Sequence, residues 1–132
     1  MILVDTSVWI EVLADRFGGK KATFEAALAG DEVVLTRFNQ LELLQGARDE
    51  REWSQLSEYL QEQDYLDITP ESWAGAARIY FDLRRLGRTV VSPIDCCIAQ
   101  IAIESDVMLL HRDRDFETIA EVRPLRQQRL TW

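Results

Sequence analysis

Met1-Ile2-Leu3-Val4-Asp5-Thr6-Ser7-Val8-Trp9-Ile10-Glu11 opens the chain, and its reading decides the fold. Four apolar residues run straight into an acid, with two hydroxyl residues behind it. A short unbroken apolar run is the pattern of a strand buried on both faces of a parallel sheet. Thr6-Ser7 then offer a hydroxyl N-cap for a helix carrying Val8, Trp9, Val12 and Leu13. The motif returns downstream. Glu32-Val33-Val34-Leu35-Thr36 is followed by Glu42, Val107-Met108-Leu109-Leu110 by Asp113, and Asp95 stands at the head of an apolar helix. In an open parallel α/β sheet, ligands bind in the crevice outside the carboxyl ends of the strands. Acids placed after successive strands converge there, so Asp5, Glu42, Asp95 and Asp113 predict a site for divalent cations.

Between these acids the element types alternate. Gly18-Gly19 breaks the first helix, residues 20–29 read as a second helix ending at Gly30, and residues 32–36 as a second strand. A short helix over about 38–48 precedes a polar amphipathic one over about 50–63. Residues 70–86 read as a helix with Pro70 at its entry and Gly87 past its end, the expected asymmetry. Pro93 opens a helix over 94–104, residues 107–110 form a strand, residues 116–120 a short helix, and residues 122–125 a last edge strand. Strands alternating with helices imply an α/β fold with a parallel sheet covered on both faces and right-handed crossovers. With no internal repeat, linker or low-complexity tract, residues 1–132 are expected to form a single domain, and 47% hydrophobic content suffices for its core.

Composition narrows the function classes. No apolar run approaches the roughly 20 residues needed to cross a bilayer, and Asp5 arrives before any basic leader region, so no membrane role and a cytoplasmic location are expected. Cys96 and Cys97 are adjacent in a helix, which is neither a disulfide framework nor a Cys-x-x-Cys pattern; they read as small core hydrophobes. A net charge of −8 argues against a broad electrostatic grip on nucleic acid. Five of the acids, Asp5, Glu42, Asp95, Asp113 and Asp115, nevertheless fall in the predicted site, and two divalent ions held there would halve the charge to −4. Arg78, Arg84, Arg85 and Arg88, with Arg112 and Arg114 beside the last acids, read either as a solvated face or as phosphate contacts.

Each acid also has a plainer reading. Asp95 shares its helical face with Ile98, Ala99 and Ala102, where a carboxylate is costly, yet an acid in a first turn also favours the helix dipole and can cap free amides. Glu42, beside Phe38 with Gly46 one turn on, reads as a ligand or as a surface glutamate. In Leu109-Leu110-His111-Arg112-Asp113-Arg114-Asp115-Phe116, one aspartate serves to cap the following helix, and the other then has no local purpose.

Val4-Asp5-Thr6-Ser7-Val8-Trp9-Ile10-Glu11, the Glu42 helix, Pro93-Ile94-Asp95 and Leu110-His111-Arg112-Asp113-Arg114-Asp115-Phe116, in this order and spacing, together resemble a PIN-domain ribonuclease. More narrowly, the chain resembles the VapC toxins of type II toxin–antitoxin systems. The resemblance implies a PIN-like three-layer fold with a mainly parallel sheet of about five strands, and an RNA substrate. It matches Asp5, Glu42, Asp95 and Asp113 to the family's acidic quartet, Asp115 to an additional acid near the metals, and Thr6 to a hydroxyl that braces the pocket. It further implies a VapB-type antitoxin partner, a homodimer within that complex, and DNA contact only through the antitoxin. His111 departs from the pattern, since many relatives carry threonine or serine there.

The chemistry stands beside the resemblance. Phosphodiester hydrolysis needs an activated nucleophile and neutralisation of charge in the transition state, which one or two Mg²⁺ ions, or Mn²⁺ in substitution, supply. Carboxylates suit such hard ions, and the lack of Cys or His clusters disfavours zinc. A single histidine leaves almost no material for a Ser-His-Asp or paired-histidine mechanism. Asp5 and Asp95 are expected as central ligands with Asp113 completing the shell, while Glu42 binds a second ion or orients the attacking water. Trp9, Val12 and Leu13 are expected either to line a groove for the antitoxin or to pack in the core. Two other classes compete. A receiver or haloacid-dehalogenase domain also sets aspartates at strand ends, but the first wants paired acids and a late lysine, the second Asp-x-Asp where this chain has Asp5-Thr6-Ser7. The other is a non-catalytic binding module of the same fold, which the retention of all four acids disfavours.

Overall fold

The computed structural model describes residues 1–88 and 91–132. Its strands are β1 (Ile2–Val4), β2 (Val33–Thr36), β3 (Tyr65–Leu66), β4 (Met108–His111) and β5 (Gln127–Arg129), in one sheet of order β3-β2-β1-β4-β5 with every pairing parallel. Among the described residues lie seven helices: α1 (Thr6–Ala14), α2 (Gly19–Leu28), α3 (Arg37–Gln45), α4 (Glu50–Gln61), α5 (Pro70–Arg85), α6 (Pro93–Ser105) and α7 (Arg114–Ala120).

Successive strand residues point to opposite faces, and both faces here are apolar. Leu3, Val34 and Leu109 enter one core with Ile79, Leu83, Ile98 and Phe116. Ile2, Val4, Leu35 and Leu110 enter the other with Val8, Trp9, Phe24, Leu43 and Leu60. Helices α5, α6 and α7 therefore cover one face and α1 to α4 the other, which makes the three layers. Fully burying a leucine or isoleucine contributes about 1.5–3 kcal/mol, so the unbroken apolar strands hold both layers.

Strand order places the crevice. From β1 the chain moves outward to β2 and β3, then crosses back to β4 on the other flank of β1 and on to β5. The reversal between β1 and β4 is the position where open α/β sheets bind ligands. Val4 is in register with Leu110, and the Asp5 N–H donates to the Leu110 carbonyl at 2.9 Å. Asp5 and the residues after His111 thus leave the sheet side by side.

Three local expectations are corrected. Asp5, not Thr6-Ser7, is the N-cap of α1, because its carboxylate accepts the Ser7 N–H while Thr6 is already helical. The last strand is Gln127–Arg129 rather than 122–125, since Val122 closes a turn onto Ile119 and Pro124 has no N–H to give a ladder. The two-residue strand β3 was not expected. Cys96 and Cys97 are free and buried, as expected, and burial first, with Asp95 next, pushes the Cys96 thiol up to about 12.

Candidate active site

Four helix starts aim the side chains of the site. Asp5 ends β1 and caps α1: its Oδ2 accepts from the Ser7 N–H at 3.0 Å and the Ser7 hydroxyl at 2.6 Å. The Ser7 hydroxyl in turn accepts the Arg112 N–H at 2.9 Å, tying the turn after β4 to α1. Asp5 is only 4% exposed, and burial raises its pKa against the lowering effect of Ser7, with Asp113 adding repulsion.

Helix α3 begins with a reciprocal box. Asn39 Oδ1 accepts the Thr36 N–H at 2.9 Å, and the Asn39 N–H donates to Thr36 Oγ1 at 3.3 Å. That lock turns the Asn39 amide toward the site, where Nδ2 donates to Thr6 Oγ1 at 3.1 Å and faces Asp5 Oδ1 at 3.5 Å. With its lone pair so engaged, Thr6 donates to Glu42 Oε1 at 3.0 Å. Thr6 thus holds Glu42 in place. Burial raises the half-buried Glu42 carboxyl, with Asp5 and Asp113 adding to it against Thr6.

Helix α6 is capped by Ser92, whose hydroxyl accepts the Asp95 N–H at 3.1 Å. The Asp95 carboxylate is therefore free of capping duty. Burial, then Asp113, Asp5 and Asp115, push its pKa up to about 8. Asp113 caps α7, its Oδ1 accepting the Asp115 N–H at 2.9 Å. Asp115 does not cap; its carboxylate lies beside that of Asp95, and burial first, then the Asp113 charge, raises its pKa.

Asp95, Asp113 and Asp115 each bring a carboxylate oxygen within 4.8 Å of the others. That tight group differs from the expected central pair of Asp5 and Asp95: Asp115 stands inside it, while Asp5 and Glu42 border it and feel its charge. The residues that sequence reasoning missed are Ser7, Asn39 and Ser92. Thr36-x-x-Asn39 and Ser92-Pro93-x-Asp95 both carry the spacing of a helix start, which could have found two of them.

The basic pair separates. Arg112 donates to Glu11, to the Leu130 carbonyl at 2.7 Å, and lies over the Trp132 ring, so it is a structural clamp. Arg114 is exposed beside the acids. Trp9 departs from an outward groove position: it is 4% exposed, edge-on to Phe24 and Tyr59 at 5.4 and 5.9 Å, and its indole N–H has no hydrogen-bond partner. Val12 is half-buried and Leu13 half-exposed, and Ile10 joins Leu13 on the open side of α1. A cavity of about 500 Å³ lies at the opposite end of the sheet, but its Met1–Asp31 and Arg126–Asp106 pairs satisfy one another.

A parallel sheet with a reversal between β1 and β4, and acids gathered over that reversal, define an α/β domain with an acidic site at the carboxyl ends of its strands. Residues 2–122 match the PIN domain family, and the chain belongs to it. Within that family it is similar to VapC ribonucleases: it is 35% identical over 130 residues to Ribonuclease VapC11 of Mycobacterium tuberculosis, covering 95% of this chain and 96% of that one. Its fold is similar to VapBC2 from Rickettsia felis, solved bound to a promoter DNA fragment (TM-score 0.79, 15% identity, 99% of this chain and 100% of that one). It is equally similar to VapBC-1 from nontypeable Haemophilus influenzae (TM-score 0.79, 20% identity, both chains covered to 100%).

Proposed function

We propose that the chain is a metal-dependent endoribonuclease, the toxin of a toxin–antitoxin pair, with residues 1–132 acting as one nuclease domain in the cytoplasm. The observation that carries this is the gathering of Asp95, Asp113 and Asp115 within 4.8 Å, beside Asp5 and Glu42, at the sheet's reversal. The group fits a hard cation. Its donors are all oxygens, and like charges raise one another's pKa until a cation compensates them. Asp95, Asp113, Asp115 and Oδ1 of Asp5, which otherwise meets only the Asn39 amide at 3.5 Å, would hold Mg²⁺, with Mn²⁺ a substitute.

A bound divalent ion there supplies charge neutralisation at the phosphate and lowers the pKa of a coordinated water. The chain's own residues do the rest. Glu42, its pKa raised first by burial and its carboxylate held by Thr6, would orient the attacking water and accept its proton. His111 is fully buried with both ring nitrogens engaged, so it does not touch the substrate. Arg114 is the basic side chain nearest the acids in sequence that is free to meet an RNA phosphate.

The relatives' names extend to a partner. A VapB-type antitoxin would cover the exposed Ile10, Leu13 and Leu41 on α1 and α3 and bring a basic side chain to the acids, with homodimers of this chain in the complex and DNA reached only through the antitoxin. Purified protein should cleave single-stranded RNA with Mg²⁺, and lose cleavage with a chelator or as Asp95→Asn. Cleavage at the wild-type rate by Asp95→Asn would refute the site.

A further inference from the structure

His111 ends β4 two residues before Asp113, and it is fully buried. Its Nδ1 accepts the Asp113 N–H at 3.1 Å, and its Nε2 lies 2.7 Å from Oε1 of Gln127 on β5. An amide donating into Nδ1 requires a lone pair there, so the ring proton sits on Nε2 and donates to Gln127. The ring is wedged against Phe116, centroids 5.1 Å apart, and the His111 carbonyl accepts the Leu130 N–H at 2.7 Å. The turn bearing Asp113 is therefore clamped twice: by the imidazole at Asp113, and by Ser7 at Arg112.

We propose that His111 is a positioning residue of the metal centre: Nδ1, held as an acceptor by Gln127, fixes the Asp113 backbone and so aims the Asp113 carboxylate at those of Asp95 and Asp115. It contacts neither ion nor substrate. This rests on the metal-centre reading above. A histidine that only fills the space between β4 and β5 would be replaceable by any side chain of its size. A positioning histidine is not, because the Asp113 N–H needs an acceptor at one point.

Asn and Gln separate the two ring nitrogens. His111→Asn keeps an acceptor where Nδ1 stands and gives up Gln127; His111→Gln does the reverse. Calorimetric Mg²⁺ titration of the purified chain should find His111→Asn within about threefold of wild type and His111→Gln weaker by roughly 10–100-fold, the cost of losing a partner that orients a metal ligand. In His111→Gln, kcat at saturating Mg²⁺ should fall by less than the affinity does. Unchanged affinity in His111→Gln would overturn the proposal, as would losses in both variants that merely track their melting temperatures.

If His111→Gln does not fold, substitutions at Gln127 carry the test: Gln127→Leu frees the tautomer and should weaken Mg²⁺ binding, whereas Gln127→Glu still accepts from Nε2 and should preserve it. Equal affinities in these two variants would overturn it. Because His111 is the only histidine, nitrogen NMR of the ring is unambiguous; a protonated Nε2 and bare Nδ1 are expected, and a proton on Nδ1 contradicts the clamp. Wild-type protein that binds no Mg²⁺ would sink the metal reading and this inference together. Wild-type binding with an indifferent His111→Gln sinks the inference alone.

Discussion

Asp95 bears a large electrostatic cost, since burial first and then three neighbouring carboxylates push its pKa up to about 8. Asparagine keeps its shape and removes its charge. Metal-free Asp95→Asn should therefore melt at or slightly above the wild-type temperature near pH 8, while Mg²⁺ should raise the melting temperature of wild type only. A lower melting temperature for the metal-free variant would mean that Asp95 serves the fold. Asn39 is the opposite case: neutral, fully buried, and bonded to Thr36 and Thr6. Asn39→Ala strands those buried partners and should cost about 1–3 kcal/mol in denaturant unfolding, with slower cleavage as Thr6 and Glu42 lose their brace. Unaltered stability would contradict the network. The acids were legible because each interrupts or follows an apolar run; Asn39 was not, since a polar residue near a helix start looks like an ordinary cap.

The helix starts deliver the acids. Ser92 takes the cap of α6, so that the Asp95 carboxylate can face Asp113 and Asp115. Ser92→Ala should cost about 1 kcal/mol and Ser92→Gly only a few tenths, read by chemical denaturation; equal losses would place the contribution in packing rather than in the cap. At this scale the central strands were readable because burial on both faces leaves an unbroken apolar run. The edge strands were not. β3 has two residues, and β5 is Gln127-Gln128-Arg129, whose pairing is made by backbone groups that carry no hydrophobic signature. The apolar residues at 122–125 pack into the core from a turn instead, with Leu125 buried. Trp9 shows a similar limit, because periodicity placed it on α1 but could not tell an outer edge from the space between Phe24 and Tyr59.

Across the whole molecule the raised acids tie stability to pH. Asp5, Glu42, Asp95 and Asp115 all lie above their ordinary range, burial being the first cause in each. Unfolded, they titrate near about 4. Between there and the folded value of about 8 for Asp95, the metal-free folded chain binds more protons than the unfolded one, so its stability falls as pH rises. Groups held low, such as Asp82 under the Arg123 guanidinium, lose their contribution only at more acidic pH. The metal-free melting temperature should thus decline from about pH 5 to about pH 8, less steeply in Asp95→Asn, and Mg²⁺ should reverse the slope because it binds the deprotonated acids. A metal-free melting temperature that climbs across this interval contradicts the assignment.

Convergence of the acids on one cation site is tested most directly by crystals of the purified chain soaked in Mn²⁺, whose anomalous scattering locates the ion. The predicted result is anomalous density among the carboxylates of Asp95, Asp113 and Asp115, bordered by Asp5 and absent in Asp95→Asn. Density only elsewhere on the surface, or none at saturating Mn²⁺, would contradict it.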